Sequence, residues 1–68
     1  MEKLLQKIGE KIREIRQSYN WLQRELAEHA NIPVRSLGRI ERGEVDVRIG
    51  TLQKIAKALN KKVKDLMP

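Results

Sequence analysis

Cysteine and phenylalanine are absent from this chain of 68 residues, and Tyr19 and Trp21 are its only aromatic residues. Without cysteine, neither a disulfide nor a thiolate metal site stabilises the fold, which fits a reducing compartment. The core must therefore consist of leucine, isoleucine, valine and alanine, a composition that suits closely packed small helices. We expect a single domain over residues 1–68, near the lower size limit for a chain that folds without such support.

The sequence also lacks the patterns of membrane proteins, secreted proteins and most enzymes. No stretch approaches the roughly 20 apolar residues of a membrane span, and the first residues show no signal-peptide pattern. There is no glycine-rich phosphate loop, no paired carboxylate site and no nucleophile beside a base. The only histidine, His29, belongs to no constellation of catalytic or metal-binding residues. We therefore expect a soluble, cytoplasmic protein that is not an enzyme and that uses no cofactor or metal.

Positive charge is concentrated in the second half of the chain. Residues 1–33 hold six Lys/Arg and five Asp/Glu, a net charge of +1, whereas residues 34–68 hold nine and four, a net charge of +5. This uneven excess favours a polyanionic partner, although a solvated surface rich in lysine is the alternative explanation. A solubility face is the main interpretation for Lys54, Lys57, Lys61, Lys62 and Lys64.

Apolar residues recur with the spacing of helices. The pattern predicts an all-α, compact five-helix bundle with short connections. The predicted helices cover residues 4–18, 22–30, 34–41, 49–59 and a last turn or two over 63–67. The apolar stripe of the first helix is Leu5, Ile8, Ile12, Ile15 and Tyr19, and that of the fourth is Ile49, Leu52, Ile55, Ala56 and Leu59. Gly9 weakens the first helix by about 1 kcal/mol relative to alanine.

The segment from Leu22 to Gly43 predicts two short helices joined by a tight turn. Asn31 lies at the reversal, and asparagine tolerates the left-handed backbone conformation better than most residues. On the second of these helices, Leu37 and Ile40 form the side that packs on a core. At about 100° per residue, the opposite side carries Arg35, Arg39 and Arg42. Because cations on an exposed short helix suit an anionic groove, we interpret the segment as a DNA-binding helix-turn-helix.

Four pieces of the sequence occur in the order and spacing of a known family. They are IGEKIREIR at 8–16, LQRELA at 22–27, RIERG at 39–43 and TLQKIAKAL at 51–59. Over residues 8–66 the chain resembles the lambda-repressor/Cro-like, or Xre-type, helix-turn-helix family. The resemblance implies a lambda-repressor-like fold of five helices, with the DNA-binding unit in the second and third. It also implies a transcriptional regulator that binds a palindromic operator as a homodimer.

The resemblance implies roles for single residues as well. Gln23 matches a glutamine that contacts a phosphate at the start of the second helix. Positions that face base edges in the major groove are matched by Val34, Arg35, Ser36 and Arg39. Positions near phosphates are matched by Arg42 and Arg48, and the family's salt bridge between helices is matched by Arg16 and Glu41. Dimerisation through the last helix would involve Val63, Leu66 and Met67.

Three positions depart from the family pattern at the starts of helices. Leu22 stands where a serine or threonine caps the second helix, which forfeits about 1 kcal/mol. Pro33 stands before the third helix in place of a capping serine, and a proline is acceptable at a helix start. Asp46 replaces part of an Asn-Pro pair before the fourth helix, where its charge would repel a nearby phosphate. We expect these changes to affect how the protein sits on DNA and not its fold.

Several alternatives stay open from the sequence alone. Arg39 has an alternative role in a surface ion pair with Glu25 or Glu28, and Arg35 has one as a solvated side chain. We interpret Trp21 as core filling and His29 as structural or solvent-facing. For the whole protein, one alternative is the antitoxin of a toxin–antitoxin pair, which would bind a toxin protein as well as DNA. The other is a helix-turn-helix-derived module for protein interactions.

Overall fold

A computed structural model describes residues 2–68 as four α-helices and one 3₁₀ turn, without a strand in that range. The helices are α1 (Glu2–Ser18), α2 (Gln23–Ala30), α3 (Val34–Glu41) and α4 (Ile49–Ala58), and the 3₁₀ turn spans Val63–Leu66. The all-α class is confirmed, but the prediction of a fifth α-helix is wrong. The Asp65 N–H bonds to the Lys62 carbonyl at 2.9 Å, which is the i→i+3 bond of a 3₁₀ turn.

Each of the four helices is followed, within two residues, by a residue with a left-handed backbone. The φ angles are 58° at Asn20, 56° at Asn31, 71° at Gly43 and 57° at Asn60. The residue after each of these donates its N–H to the carbonyl five positions earlier: Trp21 to Arg16, Ile32 to Ala27, Glu44 to Arg39 and Lys61 to Ala56. This arrangement is the Schellman motif, which satisfies carbonyls at a helix end. The reversal predicted at Asn31 is thus one of four similar helix ends.

The core is aliphatic, as the composition requires. Its buried side chains are Ile8, Ile12, Leu26, Ala27, Ala30, Leu37, Ile40, Leu52, Ile55, Ala56, Leu59 and Leu66. α1 packs against α3, α2 packs against α3 and α4, and the 3₁₀ turn packs against α4 and α1. The prediction that Leu66 lies at a dimer interface is wrong, because this side chain is fully buried within its own protomer.

Gly9 marks the place where α1 crosses the end of α3. A Cβ atom added at Gly9 would lie 2.5 Å from the Ile40 carbonyl oxygen and 2.8 Å from the Glu41 carbonyl carbon. One turn earlier on α1, the Gln6 Cα would lie 2.8 Å from a Cβ added at Gly43. The glycine that weakens α1 as an isolated helix is therefore the residue that lets the two backbones touch.

A buried ion pair joins the same two helices. Glu41 is 1% exposed, and its carboxylate accepts two hydrogen bonds from Arg16, from Nε to Oε2 at 2.8 Å and from Nη2 to Oε1 at 3.0 Å. A bidentate, charge-assisted pair of this kind is among the strongest polar contacts in proteins. Arg16 also donates from Nη1 to the Trp21 carbonyl at 2.6 Å. The expected salt bridge is present, and it also fixes the connection between α1 and α2.

Two further side chains converge on Glu41. Gln23, the first residue of α2, donates from Nε2 to Oε1 at 3.0 Å. Arg13 on α1 donates from Nη2 to the Glu41 main-chain carbonyl at 3.1 Å, and its Nε lies 3.9 Å from Oε1. Within residues 2–68, every buried side-chain nitrogen and oxygen has a hydrogen-bond partner. The end of α3 is therefore tied to α1 and to α2.

We expect Gly9→Ala to lower the free energy of unfolding by about 1–3 kcal/mol, the usual cost of overpacking, although alanine is the better helix former. Gly50, in the first turn of α4, offers a matched control because a Cβ there meets nothing within 4 Å. Gly50→Ala should raise the free energy of unfolding by about 0.4–1 kcal/mol. Urea denaturation measures both variants, and a similar rise for Gly9→Ala would contradict the close helix crossing.

Glu41→Gln should lower the free energy of unfolding by about 3–5 kcal/mol, because the Arg16 guanidinium stays buried without its counter-charge. The control is Glu14→Gln on α1, since the Glu14 side chain is 75% exposed and its carboxylate lies 4.0 Å from Lys11. Loss of such an exposed pair changes stability by less than about 1 kcal/mol. Equal losses of unfolding free energy for both variants in urea denaturation would show that the buried ion pair contributes no more to stability than an exposed one.

Candidate nucleic-acid interface

The two sides of α3 have opposite environments. Its buried side consists of Leu37, Gly38, Ile40 and Glu41. Its exposed side carries Val34, Arg35, Ser36 and Arg39, which are the residues that the sequence predicts to face base edges. Because both the apolar contacts and the Glu41 ion pair anchor α3, these exposed side chains project from a fixed surface.

Arg35 and Arg39 have no ion-pair partner within residues 2–68. The alternative in which Arg39 pairs with Glu25 or Glu28 is therefore wrong. Glu25 has another partner, since its carboxylate accepts the Leu22 N–H at 2.7 Å. In the part of the chain that the structure describes, both guanidinium groups keep their N–H donors for an external partner.

The start of α2 lies beside α3. Leu22 is the N-cap residue, and its side chain is 57% exposed and gives the helix no cap, as its chemistry dictates. The bond from the Leu22 N–H to Glu25 supplies one half of a capping box. Gln23 is half-buried, and one of its amide hydrogens is held by Glu41. The residue predicted at a phosphate is therefore positioned by the buried ion pair, with a second amide hydrogen still available.

Arg48 brings the start of α4 next to α3. It is the exposed N-cap residue of α4. Together with Ser36, Arg39 and Thr51, it lines a cleft of about 210 Å³ between the two helices. Residues predicted to contact bases and a residue predicted to contact phosphate thus share one surface. Asp46 lines the same cleft, so the negative charge noted in the sequence lies close to the arginines.

Arg42 lies just beyond α3 and already has a partner. Its Nε donates to Glu44 Oε2 at 2.7 Å, and its Nη2 donates to Oε1 at 3.4 Å. The hydrogen bond from Arg42 lowers the pKa of the Glu44 carboxyl, and the positive charge of Arg39 adds to this effect. The same hydrogen bond raises the pKa of Arg42. An acidic side chain therefore occupies the surface on which Arg42 was predicted to meet a phosphate.

The sequence predictions omit Arg13, which bonds to Glu41, and Glu44, which bonds to Arg42 on this surface. Arg13 precedes Arg16 by three positions, and this spacing places both on one side of α1, so a signal was available. Glu44 follows Arg42 by two positions, a spacing that separates side chains on a helix. The turn at Gly43 brings Arg42 and Glu44 together, and helical periodicity does not predict this contact.

The remaining conspicuous residues have structural surroundings. The His29 ring stacks on the Trp21 ring, with centroids 4.5 Å apart and planes inclined by 1°. Trp21 is half-buried and packs against the core. Within residues 2–68 there is no group of three His, Cys, Asp or Glu residues arranged to hold a metal ion. No helix in that range is both long and apolar enough to cross a membrane.

Comparison with known proteins gives the same fold with related sequences. The family model HTH_3, described as helix-turn-helix, matches residues 12–66. No curated protein sequence matches the chain. Among solved structures, the restriction-modification controller protein C.AhdI from Aeromonas hydrophila is similar with a TM-score of 0.90 and 30% sequence identity. That similarity covers 93% of this chain and 96% of the other.

Two further regulators are also similar. The clp gene regulator ClgR from Corynebacterium glutamicum has a TM-score of 0.85 and 31% identity, over 97% of this chain and 71% of that one. An HTH_3 family transcriptional regulator from Vibrio cholerae has a TM-score of 0.88 and 28% identity, over 94% of this chain and 36% of that one. The chain belongs to the HTH_3 helix-turn-helix family and is a DNA-binding transcription regulator.

Proposed function

We propose that the protein regulates transcription by binding a specific duplex sequence with α3 in the major groove. The observation that carries this proposal is the row of exposed side chains on α3, on a helix that the buried Glu41 holds in place. The names of the similar proteins, a restriction-modification controller and a clp gene regulator, agree with a regulatory role. The function needs no catalysis and no cofactor, and we propose that it takes place in the cytoplasm.

Arg35 and Arg39 are the proposed base-reading residues. They lie one helical turn apart on the exposed side of α3, and neither is engaged by another side chain in the described residues. An arginine in the major groove bonds guanine O6 and N7 together, which discriminates against a wrong base by about 1–3 kcal/mol. Val34 has no donor, and its proposed partner is a thymine methyl group. Ser36 would add a less selective hydrogen bond.

The proposed phosphate contacts surround α3 on two sides. Gln23 lies at the start of α2, and Arg48 lies at the start of α4. Backbone N–H groups at helix starts favour anions, so each of these side chains would act beside such groups. Arg42 would contact a third phosphate from the turn after α3. Because several phosphates would be neutralised, affinity should fall steeply as salt concentration rises.

We further propose that the protein binds a palindromic site as a homodimer, which would place two α3 helices about 34 Å apart in successive major grooves. The proposed dimer surface is an apolar groove that is exposed in the single chain. A second copy that covered this groove would remove its apolar side chains from water. Ile49 is 65% exposed and Met67 is 40% exposed, and both line this groove with Val63 and Val47. The dimer surface proposed here keeps Val63 and Met67 from the sequence prediction and replaces Leu66 with Ile49.

Arg35→Ala should make the protein indifferent to one base pair of its site, with a loss of about 1–3 kcal/mol confined to the preferred sequence. Arg42→Ala is the comparison, because loss of a phosphate contact should weaken binding to all sequences alike. Fluorescence anisotropy on a selected duplex and its single-base-pair variants measures this. If both variants lose affinity uniformly, the proposed division between base and phosphate contacts fails.

Ile49→Glu should weaken self-association about tenfold or more, because it places a charge in the proposed dimer surface. Glutamate is well tolerated in the first turn of a helix, so α4 should remain intact. Leu22→Glu is the control, since Leu22 is also a largely exposed apolar residue but lies at the start of α2. Sedimentation equilibrium over a concentration series gives the association constants. A wild-type protein that stays monomeric throughout would rule out the homodimer.

A further inference from the structure

The guanidinium group of Arg42 lies between Glu44 and α3. Glu44 accepts hydrogen bonds from Nε and Nη2, at 2.7 and 3.4 Å. Nη1 is turned toward α3, where it lies 3.1 Å from the position that a Cβ of Gly38 would occupy. The Gln23 Oε1 lies 3.5 Å from the same position. The missing side chain at Gly38 thus leaves room for Nη1, while Glu44 binds the edge formed by Nε and Nη2.

This arrangement occupies the edge formed by Nε and Nη2, which is one of the edges that a phosphate can bind. Carboxylates and phosphates bind arginine in the same bidentate way, so a phosphate competes with Glu44 for the edge formed by Nε and Nη2. While the ion pair persists, Arg42 and Glu44 together carry no net charge. The lowered pKa of Glu44 and the raised pKa of Arg42 agree with a pair that stays ionised and bonded.

We propose that Glu44 is a built-in counterion of Arg42 that a DNA phosphate has to displace, and that it limits the sequence-independent affinity of the protein. The proposal rests on the proposed function, since it concerns the same DNA-binding surface. Glu44 acts through Arg42, so it is a positioning residue and does not itself contact the DNA. Neither Arg35 nor Arg39 forms an ion pair with Glu44 within residues 2–68, although the charge of Arg39 acts on Glu44. Base selectivity should therefore change less than the sequence-independent affinity.

The salt dependence of binding gives a direct measure of this role. Each phosphate that a protein cation neutralises contributes about −0.9 to the slope of log K against log salt. In the wild-type protein, a displaced Glu44 remains beside Arg42 in the chain, so its negative charge still offsets the positive charge of Arg42 and the pair contributes little to that slope. In Glu44→Gln, Arg42 carries its full charge to the DNA. We expect a slope steeper by about 0.9 and an affinity for a random-sequence duplex about five- to tenfold higher at low salt.

The experiment measures fluorescence anisotropy of a labelled random-sequence duplex over about 50–200 mM KCl. Glu14→Gln is the charge-matched control, because Glu14 is exposed, has a cationic neighbour and lies on α1. It should leave the slope unchanged. Glu44 and Arg42 are both exposed, so the variants should keep the fold, and thermal unfolding checks this.

A double-mutant cycle with Arg42→Gln separates the mechanism from simple charge repulsion. If Glu44 acts through Arg42, Glu44→Gln does not raise the affinity for the random-sequence duplex when Arg42 is also replaced by glutamine. The proposal is overturned if Glu44→Gln raises the affinity equally in the Arg42→Gln background, or if it does not raise the affinity of the wild-type protein. Either result leaves the proposed function intact. Failure of the wild type and of Glu44→Gln to bind any duplex at low salt overturns both.

Discussion

Glu41 carries a negative charge into the interior, where a carboxylate without hydrogen bonds would be strongly unfavourable. Arg16 on α1 and Gln23 on α2 supply those hydrogen bonds. Satisfying one buried charge therefore requires three helices to meet in a single arrangement. Since Glu41 is the last residue of α3, the same bonds decide where the exposed side of that helix points. The hydrogen bonds of Glu41 therefore contribute both to the stability of the fold and to the orientation of the DNA-binding side of α3.

Much of the fold was predictable because it follows local rules. Apolar residues at helical spacing identify α1 and α4, and Asn31 identifies the turn between α2 and α3. Once Leu37 is assigned to the core, helical geometry determines which residues of α3 face solvent. The ion pair needed more than periodicity, because the family resemblance supplied the partners Arg16 and Glu41 and the spacing only agreed with them.

The features that the sequence missed arise between segments distant in the chain or in irregular backbone. Gly9 was predicted to weaken α1 because helix propensity describes an isolated helix. In the structure, Gly9 allows the backbone of α1 to contact the end of α3. Leu66 was predicted to lie at a dimer interface because an apolar residue suits both a protein core and a subunit interface. Only the packing of the folded chain shows that Leu66 belongs to the core. Glu44 had no role in the predictions because the turn at Gly43 sets its position.

α2 and α3 contain eight residues each, which is shorter than the roughly 12–15 residues that a helix needs to persist alone in water. Neither helix can be a preformed part that docks onto a finished body. The contact surface for the duplex comes into existence in the same cooperative step as the hydrophobic interior. A ligand that binds this surface must therefore raise the melting temperature of the entire molecule, because binding is thermodynamically linked to folding.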